Sequence, residues 1–125
     1  MGMIEVRAVG AAAFFLVILL SGIWLSRRGR PFSTLILTVH KLLGLGAGIF
    51  LVVTLVQLER AAGLGAGVIA AAVVTGLALL GAAATGAMLS GAKPAPALIL
   101  RLHQAAAVLA PVGAVVLFWL LLYLG

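Results

Sequence analysis

Along the chain, long apolar stretches alternate with short polar breaks. Apolar residues run almost unbroken over about 8–26, 34–58, 63–90 and 97–124, and the breaks are Arg27 to Ser33, Glu59 to Ala62 and Gly91 to Pro96. Each stretch comes close to or exceeds the ~20 residues that cross ~30 Å of hydrocarbon at ~1.5 Å per residue. The runs are continuous rather than alternating, so they predict helices and exclude a membrane barrel. Breaks this short force successive helices to be antiparallel neighbours. The expected fold is all-α: a single transmembrane domain forming a polytopic membrane four-helix bundle that runs up-down-up-down.

Composition removes the soluble alternatives. Of the 125 residues, 66% are hydrophobic and only 8% charged, against roughly 25% charged in an average soluble domain, so the surface is made for the lipid bilayer. Cysteine is absent, which excludes disulfides, thiolate catalysis and cysteine-held clusters. The formal charge of +6 would suggest nucleic acid in a soluble protein. Here the bases sit in short loops between spans, with no aromatic-plus-basic face to stack bases, so nucleic acid is set aside. Arg7 leads into the first apolar run with no small-residue cleavage site after it, and Arg27, Arg28 and Arg30 follow. That is the flank of a retained span, not a signal peptide.

Charge also predicts direction. Arg27, Arg28, Arg30, Lys41, Lys93 and Arg101 fall at one membrane face, whereas Arg7 and Arg60 at the other are offset by Glu5 and Glu59. By the excess of Lys and Arg in cytoplasmic loops, both termini point outward and the first and third loops are cytoplasmic. Trp24 and Tyr123 fall near opposite interfaces, as an aromatic belt requires.

The two halves of the chain, about 8–58 and 63–124, resemble each other. Ser21-Gly22-Ile23-Trp24-Leu25-Ser26 pairs with Thr85-Gly86-Ala87-Met88-Leu89-Ser90. After a one-residue difference in loop length, Arg30-Pro31 pairs with Lys93-Pro94, Leu35-Ile36-Leu37 with Leu98-Ile99-Leu100, and His40 with His103. Gly, Ser, Pro and His recurring in order carry more weight than matched apolar residues. Each unit holds two spans, so both copies enter the membrane in the same direction and are related by a pseudo-twofold axis along its normal.

That symmetry puts His40 and His103, the only histidines, at one depth on the second and fourth helices. Each is six residues inside its span, ~9 Å of helix rise. Ionisable residues at membrane depth face a partner or a cavity and are functional candidates by default. One and two turns on, His40 is followed by Gly44 and Gly48, and His103 by Ala107 and Pro111, all on the histidine's own helix face. Small side chains there leave a slot between helices two and four that suits a flat macrocycle. The best match is one haem b with His40 and His103 as its two axial ligands, since neutral imidazole is a standard haem ligand. The other ring nitrogen of each then needs an acceptor, expected one turn earlier near Ile36 and Ile99. Lys41 and Arg101, with the Arg27, Arg28 and Arg30 cluster, are the candidate cations for the propionates. Gly22 and Gly86, near histidine depth on helices one and three, are candidates to admit the porphyrin edge. The bland counterpart is that Gly and Ala faces, Gly44-x-x-x-Gly48 among them, are ordinary helix-packing devices in membranes.

The four spans, the His-x-x-x-Gly at His40 to Gly44 and the opposed His103 resemble the membrane-integral b-type cytochromes built on four-helix bundles, including cytochrome b subunits of hydrogenases and formate dehydrogenases. The resemblance implies a bis-histidine haem b, membrane electron transfer, exchange with a quinone or a redox partner subunit, and a bacterial cytoplasmic membrane with the haem toward the cytoplasmic half. Dihaem members carry four histidines; two can hold only one such haem. An enzyme is unsupported, because no carboxylate lies mid-span and no Ser/His/Asp or Cys/His set exists, so the expectation is a non-catalytic electron carrier. Two rivals stay open: a haem-free structural or anchor subunit of a membrane complex, and a pigment-binding subunit in which each histidine holds its own ring.

Overall fold

The computed structural model describes residues 1–123, and these form four helices: α1 (Met3–Arg28), α2 (Thr34–Ala62), α3 (Ala66–Leu89) and α4 (Ala97–Tyr123). All four are long and apolar enough to cross a membrane. The expected spans are recovered with shifted ends: α1 and α2 run longer, whereas α3 starts three residues later than expected, after Gly63 and Gly65, and stops one residue earlier. α1 starts five residues earlier, because Glu5 turns its carboxylate back to accept the Gly2 N–H at 2.7 Å and closes the first turn. α2 continues through Glu59 and Arg60 to Ala62, and the Glu59 carboxylate instead accepts the Leu64 N–H across the following turn at 2.7 Å. The end of the last expected span, residue 124, lies outside the described residues.

The turns explain where the helices stop. Gly29 (φ 67°) and Gly63 (φ 75°) end α1 and α2 in the left-handed region that glycine enters at least cost. Their N–H groups reach back to the carbonyls of Leu25 and Glu59 at 3.0 and 2.9 Å. Ser33 then caps α2 by accepting the Ile36 N–H. Pro111 sits inside α4 without ending it. It has no N–H to give the Ala107 carbonyl, a loss that membrane helices tolerate where neighbouring elements shelter the backbone.

The helices close into a ring. α1 packs on α2 and α4, α3 packs on α4 and α2, and among the described residues the backbones of the diagonal partners α1/α3 and α2/α4 stay apart. The two hairpins are most closely packed internally, α3 on α4 above all. There Gly113 lies against Thr75 so tightly that an added Cβ would sit 3.3 Å from the Thr75 Cβ and 3.4 Å from its Cα. α1 and α2 are spaced instead by Phe14 and Phe50, rings 5.5 Å apart, set over Gly46 and Gly10.

Packing is uneven along the bundle. The core of Ala11, Phe15, Leu51, Leu58, Val68, Ala78, Ala110, Ala114, Leu117, Phe118 and Leu121 lies in the half nearer the termini. In the half that carries the histidines, residues 16–46 bury only Leu25, and residues 79–109 bury none fully. At the far end of that half Arg30 ties the two hairpins together, donating to the carbonyls of Leu89 and Gly91 at 2.8 and 2.9 Å and of Lys93 at 3.3 Å. Arg28 lies over the Trp24 ring at 4.6 Å, while Trp119 and Tyr123 pair at the opposite end.

Candidate cofactor site

α2 and α4, although diagonal, bring their histidines together. The His40 and His103 rings stand 6.4 Å apart between centroids, at 61° to one another. Both are half-buried. Each rests its Cε1 edge on a glycine of a neighbouring helix: an added Cβ on Gly22 (α1) would lie 3.1 Å from His40 Cε1, and one on Gly86 (α3) 3.1 Å from His103 Cε1. The expected depth match and the place of both glycines beside the histidines are therefore observed. The glycines meet imidazole directly.

Hydrogen bonds decide which nitrogen carries the proton. His103 Nδ1 lies 2.9 Å from the Ala82 carbonyl and 3.0 Å from Thr85 Oγ1. A carbonyl only accepts, so Nδ1 carries the proton and Nε2 keeps its lone pair. Thr85 can accept a share of that proton because its own hydroxyl donates to the Gly81 carbonyl at 2.7 Å. His40 is held the same way: Ser21 Oγ donates to the Ile18 carbonyl at 2.9 Å and accepts from Nδ1–H at 2.8 Å. Neither Nε2 hydrogen-bonds to any described residue. The expected acceptors near Ile36 and Ile99 are not used. A carbonyl one turn earlier on the ring's own helix runs alongside the side chain, whereas the facing helix offers its hydroxyl and carbonyl end-on.

The residues fit one metal with a macrocycle around it. A metal–imidazole bond is about 2 Å, and the centroid of a five-membered ring lies ~1.1 Å behind its ligating nitrogen, so two imidazoles trans on one metal stand roughly 6.3 Å apart. The observed centroid separation of 6.4 Å is of that size. Two imidazoles alone cannot close a protein metal site, which takes about four ligands, and no group of three or more His, Cys, Asp or Glu exists among the described residues. The donor set suits an ion that brings its equatorial ligands with it.

Room exists on the same faces. Cβ atoms added to Gly44 or Gly48 would meet nothing within 4 Å; Gly44 and Ala107 are half-buried in the loosely packed half, and Gly48 and Pro111 are half-buried at its border with the core, beside the buried Ala47 and Ala110. Lys41 and Arg101 are exposed and lie one residue after His40 and two before His103, off the histidine faces. The structure does not bring them to the imidazoles. Arg30, by contrast, sits between the loops and lines a groove of about 230 Å³ with Leu25, Phe32, Leu89 and Pro94.

Sequence reasoning missed Ser21, Ala82 and Thr85 as partners of the histidines. The signal was present in the repeat, where Ser21-Gly22 and Thr85-Gly86 match as hydroxyl-plus-glycine pairs. Thr85 does bond to its own helix, as expected of a membrane threonine, and the same oxygen still reaches His103. Comparison with protein-family models, curated proteins and solved structures finds no match to the chain.

Proposed function

We propose that the chain is a b-type cytochrome that holds one haem b between α2 and α4 through His40 and His103 and carries electrons in the membrane. The observation that carries this reading is the pair of facing imidazoles, 6.4 Å apart, each with Nδ1 already spent on a neighbouring helix. A haem held by His40 and His103 would supply one-electron chemistry. The chain's own part is positional. Ser21, Thr85 and the Ala82 carbonyl hold the tautomer, as partners beyond the ligands do at metal centres generally. Gly22 and Gly86 let the rings lie close to α1 and α3. Gly44 and Gly48 keep the α2 face clear below His40, opposite Ala107 and Pro111 on α4.

The topology that goes with this reading follows the loop charges: both termini outside a bacterial cytoplasmic membrane, with the site toward the cytoplasmic half. A single haem needs a donor and an acceptor, so the reading includes a quinone or a redox partner subunit.

An absorption spectrum of detergent-purified protein from haem-supplied cells tests it, oxidised and then reduced with dithionite, beside His40→Ala and His103→Ala. A Soret band that shifts on reduction, with separate α and β bands damaged by either substitution, is the expected result. Colourless protein from haem-replete cells would leave an anchor subunit, and strong red absorbance would mean a chlorophyll-type pigment.

A further inference from the structure

Arg27, Arg28, Arg30, Lys41, Lys93 and Arg101 share the end of the bundle that carries the loops after α1 and α3, and that end has no acidic side chain. Both carboxylate side chains of the protein, Glu5 and Glu59, lie at the other end, each accepting a backbone N–H. Any anion that balances these cations therefore comes from outside the chain. Among them, only Arg30 is hydrogen-bonded to the described residues. Its Nη2 donates to the carbonyls of Leu89, Gly91 and Lys93, and its guanidinium stands 5.3 Å from the centre of the Phe32 ring. Arginine carries N–H groups on Nε and Nη1 as well, and these have no partner among the described residues.

Arg30 lines the groove of about 230 Å³ between the two hairpins, whose apolar walls include Leu25, Phe32, Leu89 and Leu100. Ser26 lines it too, and its hydroxyl makes no hydrogen bond to a described residue. The walls come from the ends of α1 and α3 and the start of α4, where the hydrocarbon of a bilayer gives way to headgroups. A free phosphate would use the donors and leave the apolar walls wet, and a neutral tail would leave the donors empty. We propose that this groove binds an anionic phospholipid, its phosphodiester accepting from Arg30 and Ser26 and its acyl chains lying on the apolar walls. Arginine is the side chain suited to phosphate, and basic pockets between membrane helices hold anionic headgroups. A choline headgroup would bring its own ammonium toward Arg27, Arg28 and Lys93, so the lipid must carry net negative charge. The inference does not rest on the haem reading.

Phosphatidylglycerol titrated into protein purified in a neutral detergent tests it, with bound lipid counted by native mass spectrometry. Uptake of one phosphatidylglycerol is expected, at least about tenfold tighter than phosphatidylcholine and not displaced by glycerol phosphate. Arg30→Ala should weaken it roughly 50-fold, the factor for a hydrogen bond to a charged group. Ala95 also lines the groove, and Ala95→Leu, which narrows it with every charge kept, should weaken binding at least about fivefold. Arg28 lies over Trp24 and does not line the groove, so Arg28→Ala should lose only about fivefold, the effect of one surface charge. Equal losses in Arg28→Ala and Arg30→Ala would mean diffuse attraction to the surface and overturn the site. Equal binding of phosphatidylcholine, displacement by glycerol phosphate, or no uptake of phosphatidylglycerol overturns the anionic lipid as its occupant. If Arg30→Ala does not fold, Ala95→Leu decides, and wild-type affinity in that variant places the lipid elsewhere.

Discussion

A leucine in place of Gly44 should push two properties of the protein in opposite directions. Gly44 lies one turn from His40 on the same face, and an added Cβ meets nothing within 4 Å. Leucine is about 1 kcal/mol more favourable than glycine inside a helix, and for a chain of this size that is about 4 °C in melting temperature. The haem-free protein should therefore melt about 4 °C higher, followed by circular dichroism in detergent. On the proposed haem reading, haem binding should weaken, because the new side chain would fill space that the porphyrin takes. Overpacking costs about 1–3 kcal/mol, and with tenfold for every 1.4 kcal/mol the affinity falls roughly 5- to 150-fold. A haem titration followed at the Soret band reads this directly. Gly44→Ala should change affinity far less, since the equivalent α4 position is already Ala107. Wild-type haem affinity in Gly44→Leu would place the macrocycle elsewhere, and a lower haem-free melting temperature would refute the clearance itself.

Other perturbations separate the parts of the site from the parts of the scaffold. Gly22→Ala and Gly86→Ala put a methyl 3.1 Å from an imidazole carbon, tighter than ordinary contact at 3.4–4 Å. Each should shift the nitrogen-15 signals of its own histidine and leave the other unchanged. Gly113→Ala drives a methyl onto the Thr75 side chain and backbone and should cost about 1–3 kcal/mol, seen as a melting temperature several degrees lower; an unchanged melt would show slack between α3 and α4. Arg30→Ala removes three carbonyl contacts across the loops. At this exposed position it should cost about 1 kcal/mol by thermal melt and leave both histidine tautomers intact. Because the chain has no cysteine, single replacements map its direction. Ser33→Cys and Ala92→Cys should react with an impermeant maleimide from the cytoplasmic side and Ala61→Cys from outside, and the reverse pattern would overturn the orientation.

The four helices, and the pairing of two histidines at one depth, were legible in the sequence because apolar run length and repeat spacing report them directly. Helix ends were less so. Glu5 and Glu59 read as boundary charges, but carboxylates that accept backbone N–H groups extend helices or brace turns. The diagonal meeting of α2 and α4 follows from the repeat, as does the hydroxyl beside each Nδ1; how far each hairpin closes does not. That distance is set by Thr75 on Gly113 in one hairpin and by Phe14 with Phe50 in the other, which local patterns of hydrophobicity do not encode. Lys41 and Arg101 were read from their place at the charged membrane face; a helix turns ~100° per residue, so on α2 and α4 they face away from the histidines beside them.

Because the histidines sit on α2 and α4, whose backbones stay apart among the described residues while their imidazoles pair, the site belongs to neither hairpin and comes into being only when both are in place. His103 follows His40 by 63 residues, and at about 5–20 residues per second the ribosome delivers the second imidazole roughly 3–13 s after the first. During that interval the first hairpin carries one histidine without its partner. On the haem reading proposed above, cofactor loading would be a late event, and closure of the α3–α4 hairpin against the α1–α2 hairpin the step that commits it.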